Sequence, residues 1–255
     1  MLFRSSPGQG RVYAVHAVRA GGGATYVTVN LALALAAEGD SKVGVVDLNL
    51  RFPNVAPYLA PESPFPRTFA DIYDRLDTLE ARLVVERYMY SHPSGLRVLF
   101  PAHMPADTEH VRAEHVYALI ETLRPQFDYL VIDTPAHIDE ETQAALEAAS
   151  TVVVVAGLDA ASVAASRAFL AQAGQIGLRS DRLLFLANRS TSEQLAAPLV
   201  ATEKLLGHSF VGDVPDQFNA AFNSELGKSH PAQEGWSNDV GRSFSALASY
   251  LKRMP

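Results

Sequence analysis

The stretch VYAVHAVRAGGGATYVTVN, residues 12–30, decides the fold that this sequence predicts. The apolar run over 12–18 has the composition of a buried strand, and the Ala/Leu/Val spacing from Thr25 onward is that of a buried helix. Between them, the glycines from Gly21 to Gly23 allow a sharp turn and present backbone N–H groups at a helix N-terminus. This strand–loop–helix context favours a phosphate-binding loop, although a purely structural glycine turn is the alternative.

Two residues of the loop bear on its chemistry. Thr25 stands where its hydroxyl would reach a Mg²⁺ ion that bridges phosphates. Ala24 occupies the position at which phosphate-binding loops usually carry a lysine, and alanine has no charge. A charge-assisted hydrogen bond contributes about 1.5–3 kcal/mol, so its absence predicts nucleotide binding that is weaker by about ten- to a hundredfold. Loss of a cation at the transition state predicts slower hydrolysis as well.

The rest of the chain alternates strand-like and helix-like segments. The predicted strands cover 12–18, 42–48, 96–100, 128–134, 151–158, 182–188 and 209–214. The predicted helices cover 26–38, 109–123, 140–149, 160–175 and 193–206, with a short one near 68–76 after a proline-rich loop at 53–66. Most strands are continuous apolar runs, which is typical of parallel strands with helices on both faces. The sequence therefore predicts a doubly wound α/β fold with a mostly parallel sheet flanked by helices.

Composition and charge exclude several classes of protein. The chain has 255 residues, no cysteine and a formal net charge of −7. Disulfides and thiolate metal sites are therefore excluded, and a broad basic surface for nucleic acid is disfavoured. No apolar run approaches the ~20 residues that span a bilayer, and the first ten residues lack an apolar signal core. The eight histidines show no metal-ligand spacing. These features predict a cytoplasmic protein.

Two further segments place polar side chains at the ends of predicted strands. VVDLNL, residues 45–50, ends a strand with Asp47 and Asn49, where such folds hold groups that orient a metal ion or water. YLVIDTP, residues 129–135, places Asp133 at the end of another strand, as the acid of a Walker B strand would be. Ligands of open α/β sheets bind outside these carboxyl ends, where the glycine loop also lies. Any one carboxylate would serve equally well as a helix cap, but the convergence of three features favours a nucleotide site.

With these motifs, the sequence resembles the deviant Walker A ATPases of the ParA/MinD group over about residues 11–251. The loop of that group opens with a signature lysine five residues before the Walker lysine, and this chain has Arg19 and Ala24 at those two positions. The group usually shows an Asp-x-Asp segment whose second acid is associated with hydrolysis. This chain keeps Asp47 and has Asn49 as its counterpart. The resemblance therefore implies a SIMIBI/MinD-like P-loop fold whose hydrolysis is weak or lost.

The resemblance also implies which residues form the site. It matches 30–36 to the group's first helix, 127–136 to its Walker B strand and ANR at 187–189 to the motif whose asparagine reads adenine. It implies that ATP is bound by a set of eleven residues: Arg19, Gly21, Gly22, Gly23, Ala24, Thr25, Tyr26, Asp133, Asn188, Arg189 and Pro215. It implies Mg²⁺ ligands at Thr25, Asp47 and Asp133, and weakened or lost catalytic positions at Asp47 and Asn49.

Within the group, a GGxGAT loop without the lysine is typical of the CpaE/TadZ proteins of Tad (Flp) pilus assembly. Residues 214–231 resemble that branch's strand-end proline, helix and turn, and 237–251 resemble its closing helix. Fuller members carry a receiver-like domain, and the ten residues before Arg11 are too few for one, so the chain is either a short form or a piece of a longer protein. Residues 1–10 are predicted as a short lead or linker, and 11–255 as one domain. The resemblance implies a homodimer that positions pilus or secretion machinery at a cell pole or the inner membrane.

Three alternatives stay open. An active ParA-like ATPase would move DNA or a protein cargo, and it would need a compensating cation near the phosphates. A structural dimer module would bind no nucleotide, and a regulatory partner would serve another envelope system such as cellulose export. Lys252 and Arg253 at the C-terminus are too few for a membrane-targeting tail, so we expect a packed last helix and only weak or indirect membrane association.

Overall fold

The computed structural model describes residues 10–37, 41–59, 67–217 and 238–254, and an eight-stranded sheet forms its centre. The strands are β1 (Arg11–Ala17), β2 (Val43–Asp47), β3 (Tyr90–Ser91), β4 (Arg97–Leu99), β5 (Tyr129–Asp133), β6 (Thr151–Ala156), β7 (Leu183–Ser190) and β8 (Phe210–Pro215). They lie in the order β3-β4-β2-β5-β1-β6-β7-β8. The β3–β4 pair is antiparallel and every other pair is parallel. The predicted mostly parallel α/β sheet is confirmed.

Helices cover both faces of the sheet. They are α1 (Ala24–Ala37), α2 (Ala56–Leu59), α3 (Ala81–Tyr88), α4 (Ala113–Leu123), α5 (Glu140–Ala148), α6 (Ala160–Gln175), α7 (Ala197–Leu206) and α8 (Asp239–Arg253). Along β1, Val12 and Ala14 join the core cluster that includes α4 and α5, whereas Tyr13 and Val15 join the cluster that includes α1 and α8. Because both faces are buried, the strands read as continuous apolar runs.

The seven predicted strands are present, and β3 is an eighth that the sequence did not predict. A strand of two residues has no periodicity of its own, and Tyr90–Ser91 is fixed by its pairing with β4. The short helix α3 was not predicted either, since only Val84 and Tyr88 of its eight residues are buried. The helix predicted near 68–76 is instead a pair of 3₁₀ turns.

Helix starts differ from the prediction where local chemistry interrupts the helical pattern. We predicted a helix from Glu193, but α7 begins at Ala197 with Pro198 in its first turn. Proline has no N–H and suits the first turn of a helix rather than its interior, so the helix cannot extend regularly through it. Within the proline-rich loop, the four-residue helix α2 was not predicted, and the rest of that loop, from residue 60 to 66, lies outside the described residues.

The last helix, α8, is packed as predicted. Its apolar residues Val240, Phe244, Leu247, Ala248 and Leu251 are all buried. The Arg11 guanidinium and the Tyr13 hydroxyl donate to the carbonyl oxygen of Leu251 at 2.9 and 3.1 Å, which satisfies the C-terminal end of the helix. No helix in the described part of the chain is long and apolar enough to cross a membrane. Most of the segment 214–231 lies outside the described residues.

Candidate functional site

The glycine loop connects β1 to α1 at the carboxyl edge of the sheet. Gly21 and Gly23 have φ of +72° and +95°, a region that other residues rarely adopt. Gly23 is also crowded, because a Cβ atom there would lie 2.3 Å from Nδ2 of Asn188. The helix begins at Ala24 immediately after this turn. The N–H groups of the first turn of a helix have no intrahelical partner, so the loop can present them to an anion.

Asn188, at the end of β7, fixes the loop from the far side. Its Nδ2 donates to the carbonyl oxygen of Gly22 at 2.8 Å, and the residue is only 5% exposed. The resemblance implied that this asparagine reads adenine. In the structure its amide donates to the loop, and its adenine-reading role stays a prediction.

Thr25 and Asp133 lie at the same edge of the sheet and share a hydrogen bond. The Thr25 hydroxyl donates to Oδ2 of Asp133 at 2.7 Å, and the Thr28 hydroxyl donates to Oδ1 at 3.0 Å. Thr28 was not among the predicted site residues. Thr28 could have been found from the sequence, because it follows Thr25 by three residues and residues three apart on a helix lie on the same face. Asp133 is 1% exposed, so these two hydroxyls hold a buried carboxyl group in place.

Asp47 lies directly beside Asp133, because the two residues are register partners in β2 and β5. Its carboxylate accepts three backbone N–H groups at 2.9–3.0 Å, from Asn49, Asn54 and Val55. Burial raises the pKa of Asp47 to about 6. Burial and then the charge of Asp47 raise the pKa of Asp133 to about 8. Two adjacent buried carboxyl groups are most stable as anions when a cation lies close to them.

A cavity of about 650 Å³ opens in front of the loop. Its lining includes the whole of residues 19–26 together with Asn49, Phe52, Tyr58, His137 and Arg189. Among the described residues, no aspartate or glutamate lines this cavity, whereas two arginines do. Although the protein has a net charge of −7, the ionised side chains that line this cavity are positive, which suits an anion.

The predicted site residues thus divide into three groups by position. Those that line the cavity are Arg19, Gly21, Gly22, Gly23, Ala24, Thr25, Tyr26, Asn49 and Arg189. Asp47, Asp133 and Asn188 lie behind it as supports for the loop and its surroundings. Pro215 pairs with Ser190 at the edge of the sheet and does not line the cavity formed by the described residues.

The residues fit a Mg²⁺ ion held mainly through a bound phosphate. Hydroxyl and carboxylate oxygens are the donors that Mg²⁺ prefers, and Thr25 and Asp133 supply both kinds within one hydrogen bond. Within the described ranges, no three His, Cys, Asp or Glu residues cluster as a metal site. Mg²⁺ is usually bound through one or two protein oxygens plus phosphate and water.

His16 is a buried histidine that supports the strand end beside the cavity. The Thr134 hydroxyl donates to the carbonyl oxygen of Val15 at 2.9 Å, so the contact of 3.0 Å between His16 Nδ1 and Thr134 Oγ1 requires that Nδ1 donate. Burial, followed by the nearby His137, lowers the pKa of His16 to about 4. The neutral ring is therefore the form that the fold holds.

We expect His16 to make the fold less stable as the pH falls from 6.5 towards 4. In that window the unfolded chain binds a proton at this residue and the folded chain does not. Protonation of His16 in the unfolded chain therefore lowers the free energy of unfolding by about 2 kcal/mol at pH 5. His16→Asn keeps an N–H donor towards Thr134 and removes the titration. Urea denaturation should show a shallower pH dependence for this variant, and the exposed His110→Asn should behave as wild type. Equal slopes for His16→Asn and wild type would contradict the assignment.

Comparison with known proteins identifies the family of the chain. The AAA domain family model matches residues 10–183, which is more than half of the chain. The septum site-determining protein MinD of Thermotoga maritima is 23% identical over 248 residues, covering 95% of this chain and 88% of that protein.

Two solved structures share the fold. The ParA family ATPase from Chlorobium tepidum superposes with a TM-score of 0.85 at 22% identity, covering 94% of this chain and 99% of that one. MinD from Pyrococcus horikoshii, solved in complex with Mg-ADP, gives a TM-score of 0.80 at 18% identity, covering 95% and 96%. The strand–loop–helix site, the match to the family and the shared fold lead to one conclusion: the chain belongs to the AAA domain family, and within it to the P-loop ATPases of the ParA/MinD type.

Proposed function

We propose that this protein binds ATP with Mg²⁺ at the glycine loop, hydrolyses it weakly or not at all, and serves as a localisation or assembly factor. One observation carries the proposal. The cavity at the loop is lined by two arginines and, among the described residues, by no acidic side chain, while the position of the Walker lysine is Ala24. The site is therefore suited to an anion but lacks the cation that normally assists hydrolysis.

Each residue would have a distinct part in binding. The N–H groups of the loop and of the first turn of α1 would donate to the phosphates, with Gly21 and Gly23 holding the required turn. Thr25 would contact Mg²⁺, and Asp133 would orient the Thr25 hydroxyl from behind. When bound, Mg²⁺ supplies neutralisation of the phosphate charge. Asp47 holds the segment that carries Asn49 through its three backbone contacts.

Weak hydrolysis follows from two side chains. Ala24 provides no positive charge for the transition state, and Asn49 replaces the second acid of the Asp-x-Asp segment. Asn49 lines the cavity, so an amide lies near the position where a water molecule would be oriented. A neutral amide does not accept a proton from water as a carboxylate does.

Two similar proteins support the nucleotide and a protein partner. MinD from Pyrococcus horikoshii was solved with Mg-ADP, and a MinC:MinD complex is known from Aquifex aeolicus. We propose by analogy that this chain forms a homodimer and binds protein partners, with nucleic acid disfavoured as a ligand because the chain is acidic.

We further propose that the partners belong to Tad (Flp) pilus or related secretion machinery, as in CpaE/TadZ proteins. This assignment depends on the lysine-free loop and on the resemblance of 237–251 to that branch. In the native organism, deletion of the gene should abolish surface pili, and a fluorescent fusion should gather at a cell pole. Normal piliation after deletion would direct the search to another envelope system.

Single-turnover chemistry tests the proposed lack of hydrolysis. Protein in excess over radiolabelled ATP and Mg²⁺ should return the nucleotide intact after an incubation in which an active ParA/MinD-type ATPase converts it to ADP. Conversion of the radiolabelled ATP to ADP by the wild-type protein would instead support the active ATPase. Inactivity alone does not show binding, so equilibrium binding is measured on the same preparation.

A further inference from the structure

Arg189 has a backbone conformation that arginine rarely adopts. Its φ is +56°, and among the described residues it is the only one other than glycine with positive φ. It lies at the carboxyl end of β7, where the pairing with β8 shifts register between Asn188 and Ser190. Strained backbone of this kind persists where the surrounding structure holds it, often at ligand sites.

The neighbours on both sides hold Arg189 in this conformation. Asn188 donates to the carbonyl oxygen of Gly22 at 2.8 Å, and the Ser190 hydroxyl donates to Oδ2 of Asp213 at 2.7 Å. Since residues 188 and 190 are both fixed, the backbone of Arg189 is fixed next to the glycine loop. The side chain is therefore carried by a rigid strand end and not by a free loop.

Arg189 lines two cavities beside the glycine loop. One is the cavity of about 650 Å³, and the other is a smaller one of about 60 Å³ that Gly22 and Asp159 also line. Arg189 is exposed and forms no ion pair within the part of the chain that the structure describes.

The other arginine of the cavity is already engaged. The Arg19 guanidinium lies 3.5 Å from Oδ2 of Asp159, and both side chains are about half exposed. Asp159 in turn accepts from the backbone and the hydroxyl of Ser162 at the start of α6. Arg19 therefore has an acidic partner, whereas Arg189 forms no ion pair with any described residue.

We propose that Arg189 gives this site a positive charge by binding the polyphosphate of the nucleotide held at the glycine loop. The inference rests on the proposed function, since it assumes a phosphate-bearing ligand in this cavity. A planar guanidinium can donate two parallel hydrogen bonds to phosphate oxygens, which an alanine cannot do. In this arrangement a cation that binds the phosphates is Arg189, at the end of β7, and not a residue of α1.

Substitution of Arg189 tests this role with the full-length protein. Arg189→Asn keeps a residue that tolerates positive φ and removes the charge, and Arg189→Lys keeps the charge. We expect Arg189→Asn to weaken the Kd for Mg-ATP by about ten- to a hundredfold, with Arg189→Lys between it and wild type. Arg167→Asn, an exposed arginine on α6, is the matched control and should leave the Kd unchanged.

A second probe, Mg-tripolyphosphate, separates the failure of this inference from the failure of the proposed function. If wild type binds ATP and Arg189→Asn binds it equally well, the role of Arg189 is wrong and the proposed function stands. If wild type binds tripolyphosphate but not ATP, the nucleotide is wrong, and Arg189→Asn should then weaken tripolyphosphate binding. If wild type binds neither, both are wrong. Arg189→Gly provides a second uncharged variant should the asparagine variant fail to fold.

Discussion

Ala24→Lys is expected to tighten the binding of Mg-ATP by about ten- to a hundredfold. Ala24 is the first residue of α1 and lines the cavity, beside the loop N–H groups and Thr25. A lysine there would add a charge at the helix N-terminus, where an anionic ligand already has the helix dipole in its favour. The long side chain can keep its charged end in the cavity while its stem lies against the loop. Isothermal titration calorimetry of the wild-type protein and the Ala24→Lys variant gives the ratio of their Kd values for Mg-ATP.

Ala20→Lys is the matched control, because Ala20 lines the same cavity and is exposed, but precedes the helix. It adds the same charge to the same loop, so an equal gain in affinity would mean that general electrostatic attraction explains the effect. We expect Ala20→Lys to change the Kd by less than about threefold. No gain for Ala24→Lys would contradict the interpretation of the loop as a phosphate site that lacks its lysine.

Hydrolysis should need more than the lysine. Asn49 stays neutral in the Ala24→Lys variant, so tight binding with slow turnover is expected. Adding Asn49→Asp restores the second acid at the edge of the cavity and should raise the turnover further. The comparison of single and double variants therefore separates binding from chemistry.

Gly23→Ala is the second substitution with a large expected effect. The new Cβ would lie 2.3 Å from Nδ2 of Asn188, at a residue whose φ is +95°. The strain of a left-handed alanine and the loss of the Asn188–Gly22 hydrogen bond together should lower the free energy of unfolding by about 2–3 kcal/mol. Mg-ATP binding should weaken by more than about tenfold as the loop moves.

Gly21→Ala isolates the contribution of the contact with Asn188. Gly21 also has positive φ, at +72°, but an added Cβ would meet nothing within 4 Å. This variant should lose only about 1 kcal/mol, from backbone strain alone. In addition, Gly23→Ala should lower the free energy of unfolding less in an Asn188→Ala background than in wild type. A double-mutant cycle measures this difference. Equal losses for the two glycine variants would show that the contact with Asn188 has no energetic importance.

The sequence predicted the parts of the site that depend on local pattern. The glycine loop, the start of α1, and the positions of Thr25 and Asp133 follow from a strand–loop–helix motif and from the common edge of parallel strands. What it could not predict depends on contacts between distant segments. Asn188 reaches Gly22 across 166 positions of the chain, and the left-handed conformation of Arg189 follows from the bulge between β7 and β8.

The same distinction holds for the fold. The seven buried strands have long apolar runs and were predicted, whereas β3 has two residues and exists only through its partner. The start of the buried helix α1 was predicted within two residues, because mostly apolar or small residues follow the glycine loop with helical spacing. The eight-residue α3 is short, and its stability depends on tertiary packing of Val84 and Tyr88.

Equilibrium binding of Mg-ATP to the wild-type protein tests the central claim most directly. Calorimetric titration should give saturable binding that requires Mg²⁺, with a raised thermal denaturation temperature at saturating nucleotide. The same titration with Gly23→Ala, which damages the loop, should give much weaker binding. If folded wild-type protein shows neither heat nor thermal shift at millimolar ATP, the chain is a structural module without a nucleotide, and the glycine loop is not a nucleotide site.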